Sequence, residues 1–166
     1  MKVKIMVGLP RSGKSTKAKE LVENGVILDC DRIREMLTGA DRDKGFRPQN
    51  EKIVWSVFED LWKQSLSLGR DVIIANTNCN LNILKELVRE IELYSKALNL
   101  DNQIEFHTID IPINIIMGRA QKNPEIIPII KRMVEGYQAV RSWIEQSDYP
   151  DFFYGKFENK SEVEKW

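Results

Sequence analysis

The 166-residue chain predicts an α/β fold: a parallel sheet of four or five strands flanked by helices, with a short lid. Three observations predict it. Short, largely apolar runs at 3–7, 72–75 and 104–111 suit strands covered on both faces. Segments with three- and four-residue apolar steps lie between them. Strand–helix alternation without an internal repeat implies right-handed crossovers and parallel pairing.

The elements follow in order. The first strand, Val3 to Val7, enters GLPRSGKST (residues 8–16) directly, and a helical pattern follows from Ser15 to Glu23. A weaker strand, Val26 to Leu28, leads to a short helix from Asp31 to Leu37 that ends near Gly39. From Asn50 to Leu68, residues Ile53, Val54, Val57, Phe58, Leu61, Trp62, Ser65 and Leu66 fall on helical spacing. Val72 to Ala75 is a strand. Asn80 suits the N-cap of the next helix, whose apolar face is Ile83, Leu84, Leu87, Val88, Ile91 and Tyr94. After the strand Ile104 to Ile111, Pro112 suits the first turn of a helix reaching about Lys122. A last helix runs from about Pro128 to Gln146. Trp55, Phe58, Trp62 and Trp143 sit in helical patterns and read as packing residues. The tail, about 149–166, reads as irregular. The whole is expected to be one domain, 1–166, with a lid at about 118–128.

Hydrophobic residues make up 42% and charged residues 30%, an ordinary globular composition. Acidic and basic residues balance at 25 each, which argues against a broad nucleic-acid-coating surface but leaves room for a small basic pocket. Cys30, Cys79 and the single His107 stand in no zinc-binding spacing. The cysteines read as small buried side chains and His107 as a structural residue on a strand. No signal peptide or membrane span is read, so a cytoplasmic setting is expected, with no membrane partner. The sequence allows a homo-oligomer but does not indicate one.

The segment GLPRSGKST matches G-x-x-x-x-G-K-[ST] in the right context, a strand before and a helix after. Gly8 allows the sharp exit from the strand. Gly13 lets the backbone approach phosphate oxygens. The N–H groups of Leu9, Arg11, Ser12 and their neighbours, with Pro10 shaping the loop, form an anion nest at a helix N-terminus. Lys14 supplies a point charge for the β- and γ-phosphates of ATP. The Ser15 hydroxyl is a hard oxygen for Mg²⁺, and Thr16 can touch the α-phosphate.

The acceptor side begins at LDCDRIRE, residues 28–35. Ligands of a parallel sheet lie beyond the carboxyl ends of its strands, so Asp29 and Asp31 face the γ-phosphate. Asp31 can accept the proton of an attacking hydroxyl, and Arg34, one turn on, can hold an acceptor phosphate. The alternative is that Asp31 merely caps the helix. In TGADRDKGFRPQ, residues 38–49, Arg42, Lys44 and Arg47 are either an acceptor clamp or a solvated loop. The turn ANTNCN puts Asn76 and Asn78 where a carboxylate often stands in such folds. Thr77 and Asn78 either position the acceptor or serve the turn. In MGRAQKNPEIIPIIKRM, residues 117–133, Arg119 and Lys122 are candidate lid cations, with Lys131 and Arg132 behind them.

Together, GLPRSGKST, the D-x-x-R of Asp31 and Arg34, the ANTNCN turn and the IDIP-to-GRAQK stretch before IIP resemble the phage polynucleotide 5′-kinase family, from residue 3 to about 141. The resemblance implies a P-loop kinase moving the ATP γ-phosphate to a 5′-hydroxyl end of single-stranded DNA or RNA, in a bacterium or a phage-infected cell. It implies Asp31 as general base and Arg34 gripping the phosphate next to the terminal nucleoside. Lys14 and Ser15 would serve ATP and Mg²⁺, and a lid arginine the transferring group. The family usually has aspartate at the position of Asn76 and a lid richer in arginine, where this chain reads Lys122-Asn123-Pro124. Members often carry a fused phosphatase or ligase, which this length does not predict. Other readings are a small-molecule hydroxyl kinase, a nucleoside monophosphate kinase and an ATP-binding module without transfer.

Overall fold

The computed structural model describes residues 1–40 and 46–155. Five strands form one parallel sheet: β1 (Lys2–Val7), β2 (Gly25–Leu28), β3 (Asp71–Ile74), β4 (Gln103–Ile109) and β5 (Asp151–Tyr154), in the order β2-β3-β1-β4-β5. The helices are α1 (Lys14–Leu21), α2 (Cys30–Thr38), α3 (Glu51–Ser67), α4 (Leu81–Ala97), α5 (Ile113–Ala120) and α6 (Ile127–Glu145). β1 lies at the centre, so the chain segment that leaves its carboxyl end emerges mid-sheet, at the topological switch between β3 and β4.

The alternation along β1 builds two cores. Val3, Ile5 and Val7 face α3, α4 and α6, packing with Val54, Phe58, Trp62, Leu84, Ile91 and Val140. Met6 faces α1 and packs with Ala18, Ile73, Ala75 and Ile109. Phe58 and Trp62 are 1% exposed, and each burial of this kind contributes about 1.5–3 kcal/mol. Trp55, expected to pack, stands outside that core. It keeps 38% of its surface exposed while meeting the edge of Phe58.

A third, smaller cluster joins Leu9, Cys79, Ile116, Ala120 and Ile130. It fastens the segments leaving β1 and β3 to α5 and α6. Gly136 makes this approach possible. A Cβ there would stand 2.1 Å from the Cys79 carbonyl oxygen, so α6 crosses the turn at backbone contact.

One element departs from expectation. The tail is not irregular throughout: Asp151–Tyr154 adds an edge strand to β4, register Phe106↔Asp151 through Ile109↔Tyr154. Phe152 and Phe153 are both 43% exposed, so the segment carries no buried run. Ladder hydrogen bonds and side-chain ties hold it instead. The Tyr154 hydroxyl bonds His107 Nδ1 at 2.8 Å, and the Thr108 hydroxyl donates to Asp151 at 3.0 Å. His107 is buried and stacked between Phe152 and Tyr154, the structural place expected of it. Residues 156–166 of the expected tail, and Arg42 and Lys44, lie outside the described residues. Among the described residues no helix is long and apolar enough to cross a membrane.

Candidate active site

The loop from Gly8 to Thr16 is shaped by its own main chain. The Gly8 N–H donates to the Thr77 carbonyl at 3.1 Å, tying the exit of β1 to that of β3. Ser12 N–H returns to the Leu9 carbonyl at 3.2 Å, while Thr16 and Lys17 donate to the Gly13 carbonyl. Arg11 (φ 65°) and Gly13 (φ 103°) are both left-handed, which turns successive N–H groups inward and makes an anion nest ahead of α1. Non-glycine residues adopt this conformation only when the surroundings enforce it, as at functional loops. Lys14 is 7% exposed and folds back so that its Nζ donates to the Leu9 carbonyl at 2.8 Å. Its ammonium therefore stands over the loop it belongs to. Pro10 and Ser15 are half-buried and Thr16 is exposed.

Gly8 is tightly placed: a Cβ would meet Ser12 Oγ at 2.8 Å and the Ile109 carbonyl at 3.1 Å. The Cys79 thiol donates to the Gly8 carbonyl at 3.4 Å. Burial pushes that thiol up to about 11, so it stays protonated and acts as a donor.

The acceptor side is built from side chains. Asp29 is the N-cap of α2, 3% exposed, and its carboxylate accepts from the Asp31 N–H at 3.0 Å. Asn76, just past β3, accepts from the Cys30 N–H at 2.8 Å and donates to the Cys30 sulfur at 3.3 Å. Capping thus belongs to Asp29 and Asn76, and the Asp31 side chain, 46% exposed, stands in the first turn of α2. The alternative in which Asp31 itself caps the helix is not what forms. Burial pushes the Cys30 thiol up to about 12, against the usual effect of a helix N-terminus.

Arg34 Nη1 reaches Asp31 at 2.6 Å. Its Nε and Nη2 engage Glu51 at 2.8 and 2.7 Å, a bidentate pair with the first residue of α3. The bond to Glu51 raises the guanidinium further above its ordinary range. A guanidinium carries five N–H donors, and these bonds occupy three, so among the described residues two remain for an incoming oxyanion. Glu51 is a residue that sequence reading missed. Nothing local marks it, because its partner is 17 residues away.

The remaining candidates divide. Arg119, in the last turn of α5, donates through Nη1 to the Arg11 carbonyl at 3.1 Å, so it is brought to the phosphate loop. Lys122 is exposed beyond α5, in a turn that leads to a short 3₁₀ helix, Pro124–Ile126. Arg47 is exposed just before another, Pro48–Asn50. Thr77 is half-buried and contributes its carbonyl to Gly8. Asn78 (φ 52°) turns inward, donating to the Met6 carbonyl at 2.6 Å, so its amide serves the turn.

The comparisons agree with this architecture. A family model described as "AAA domain" matches residues 3–124. No curated protein sequence matches the chain. Among solved structures, a chain of the Pnkp1/Rnl/Hen1 RNA repair complex aligns at 27% identity with a TM-score of 0.71, over 90% of this chain and 47% of that one. A chain of a Pnkp1/Rnl/Hen1 complex aligns at 29% identity and 0.60, over 71% and 38%. This chain therefore spans less than half the length of the Pnkp1-complex chains it matches. The Mycobacterium tuberculosis APS kinase CysC, in complex with AMPPNP and APS, shares the fold at 16% identity and 0.52, over 98% and 94%. The match over residues 3–124 makes the chain a member of the AAA domain family, with the fold of a P-loop kinase and a likeness to Pnkp1 that bears out its resemblance to polynucleotide 5′-kinases.

Proposed function

We propose that the chain is an ATP-dependent polynucleotide 5′-hydroxyl kinase, which passes the γ-phosphate to the 5′-OH of a single-stranded DNA or RNA end. The observation that carries this reading is the chain Asp31–Arg34–Glu51. It sets a carboxylate that is 46% exposed beside a guanidinium with two N–H donors not engaged among the described residues, the pairing that a hydroxyl with a neighbouring phosphate requires. An acceptor with both groups next to each other is a 5′-terminal nucleotide whose 3′-oxygen is phosphorylated. The likeness to a chain of an RNA repair complex supports an RNA end among these acceptors.

In this mechanism the N–H groups of residues 8–16 hold the triphosphate, and Lys14 neutralises its distal oxygens. Ser15 offers a hydroxyl to Mg²⁺, which prefers hard oxygen ligands. Bound there, Mg²⁺ supplies charge neutralisation on the phosphates. Asp31 orients the acceptor hydroxyl and takes its proton. Arg34 fixes the adjacent phosphate, and Arg119, at the end of α5, stabilises charge on the group in transit. Arg47 and Thr77 lie at the acceptor's periphery. The chain, 1–166, acts as one domain, with the segment of about 118–128 as its lid.

The test is transfer of labelled γ-phosphate from ATP to four acceptors: a 5′-OH oligonucleotide, a nucleoside 3′-monophosphate, a free nucleoside and water. Labelling of the first two alone is the expected result. Labelling of none, with ATP still bound, would overturn the polynucleotide reading in favour of a different hydroxyl acceptor.

A further inference from the structure

Phe46 belongs to none of the three apolar cores and is 59% exposed. It is the one aromatic residue in the polar stretch between α2 and α3. Its ring is not placed at random. The Arg34 guanidinium carbon lies 5.8 Å from the ring centroid, within cation–π range, and the same guanidinium touches Asp31 at 2.6 Å. The ring is therefore one guanidinium away from the carboxylate assigned to the attacking hydroxyl. The next residue, Arg47, is exposed as well, so an aromatic surface and a cation stand side by side.

That pairing has a chemical meaning on a strand terminus. Proteins that hold single strands combine aromatic faces for the bases with cations for the phosphates. Every base has a π-face, so such contacts tolerate any sequence. A hydrophobic anchor of this kind also lets a chain with no net charge hold a nucleic-acid end without a basic surface. Resting on the polynucleotide reading above, we infer that Phe46 is the stacking platform for the acceptor's 5′-terminal nucleobase. With the 5′-hydroxyl at Asp31 and the 3′-phosphate at Arg34, the base of the same nucleotide is the part left to meet the ring.

The experiment compares two 5′-OH oligonucleotides that differ only in the terminal residue, one carrying adenine and the other an abasic tetrahydrofuran. Stacking on an aromatic side chain predicts a KM about tenfold lower for the base-bearing oligonucleotide in the wild-type chain. Phe46→Ala should shrink that gap to about twofold, while Phe46→Trp keeps it, on the same stacking principle. A second readout needs no turnover. An oligonucleotide with 2-aminopurine at its 5′ end, titrated without ATP, should lose fluorescence on binding the wild type and lose much less on binding Phe46→Ala. Equal KM values for the two oligonucleotides in the wild type would overturn the platform and leave the kinase reading standing. A rise in KM by the same factor for both oligonucleotides in Phe46→Ala would reduce the ring to a cover for Arg34. Phosphorylation of neither oligonucleotide by the wild type would overturn the polynucleotide reading and the platform together.

Discussion

The two halves of the site are made differently. The donor half, residues 8–16, is held by main-chain hydrogen bonds, two left-handed residues and one lysine that bonds its own loop. The acceptor half is a relay of side chains: Asn76 and Asp29 cap α2, Glu51 holds Arg34, and Arg34 holds Asp31. A local backbone device survives many substitutions around it. A relay drawn from three separate segments fails at whichever member is lost. On the proposed function, chemistry common to all ATP users is entrusted to the first kind, and recognition of one acceptor falls to the second.

Substitutions can sharpen this contrast or break it. The largest effect is expected at Asp31. Asp31→Asn should lower kcat by about 10²–10⁴-fold, the usual worth of a general base. ATP affinity should stay within about threefold if the proposed role is right, because an interaction made only with the acceptor does not enter ATP binding. Equal loss of ATP binding, read by fluorescent-nucleotide titration, would erase the division between the halves. Lys14→Ala should do the reverse, weakening ATP binding and cutting transfer by about 10²–10³-fold. Glu51→Gln tests the relay itself. It removes the charge that holds Arg34, and misplacement of the fork should cost up to about 10²-fold, chiefly as a higher KM for the acceptor. Unchanged kinetics would make the bidentate pair a stability device only.

Smaller effects are expected behind the site. Gly136→Ala puts a methyl group against the Cys79 carbonyl, and relief requires α6 to move. Overpacking of this kind costs about 1–3 kcal/mol. For a chain of this size each kcal/mol is about 2–4 °C in Tm, measurable by calorimetry. The smallest effect concerns His107, which belongs to neither half. Burial lowers its pKa in the folded chain below the ordinary 6.5. The unfolded chain then binds more protons in the window between the two values. Stability is therefore full above 6.5 and is lost as pH falls towards the folded value. His107→Gln should flatten that part of the Tm-against-pH curve.

How much of this was legible follows the same division. The loop GLPRSGKST could be read in full because its chemistry is local: a glycine at each end, one lysine and one hydroxyl define the nest. That Asp31 and Arg34 stand one turn apart on one helix was legible for the same reason. The role of Asn76 was not, since its partner Cys30 lies 46 residues away. Glu51 stayed hidden because a carboxylate at a helix start reads as dipole chemistry until its partner is seen. The strand β5 was missed because DFFY has neither an alternating nor a buried pattern, and only the free edge of β4 makes it a strand. For Asn78 the sequence left acceptor positioning and turn chemistry both open, and the bond of its amide to the Met6 carbonyl shows the turn contact, which a residue 72 positions away makes invisible in sequence.

The two thiols give the molecule a further property. Cys30 opens α2 one residue before Asp31, and Cys79 backs the first glycine of the phosphate loop; both are buried and held protonated. Neither is a nucleophile while the fold is closed, so alkylating agents and mild oxidants should spare the native chain. Each thiol becomes reactive only when its own half of the site opens. Thiol labelling of the unmodified protein, with the modified cysteine identified by mass, would thus act as a pair of built-in clocks. One times the opening of the acceptor helix and the other that of the phosphate loop.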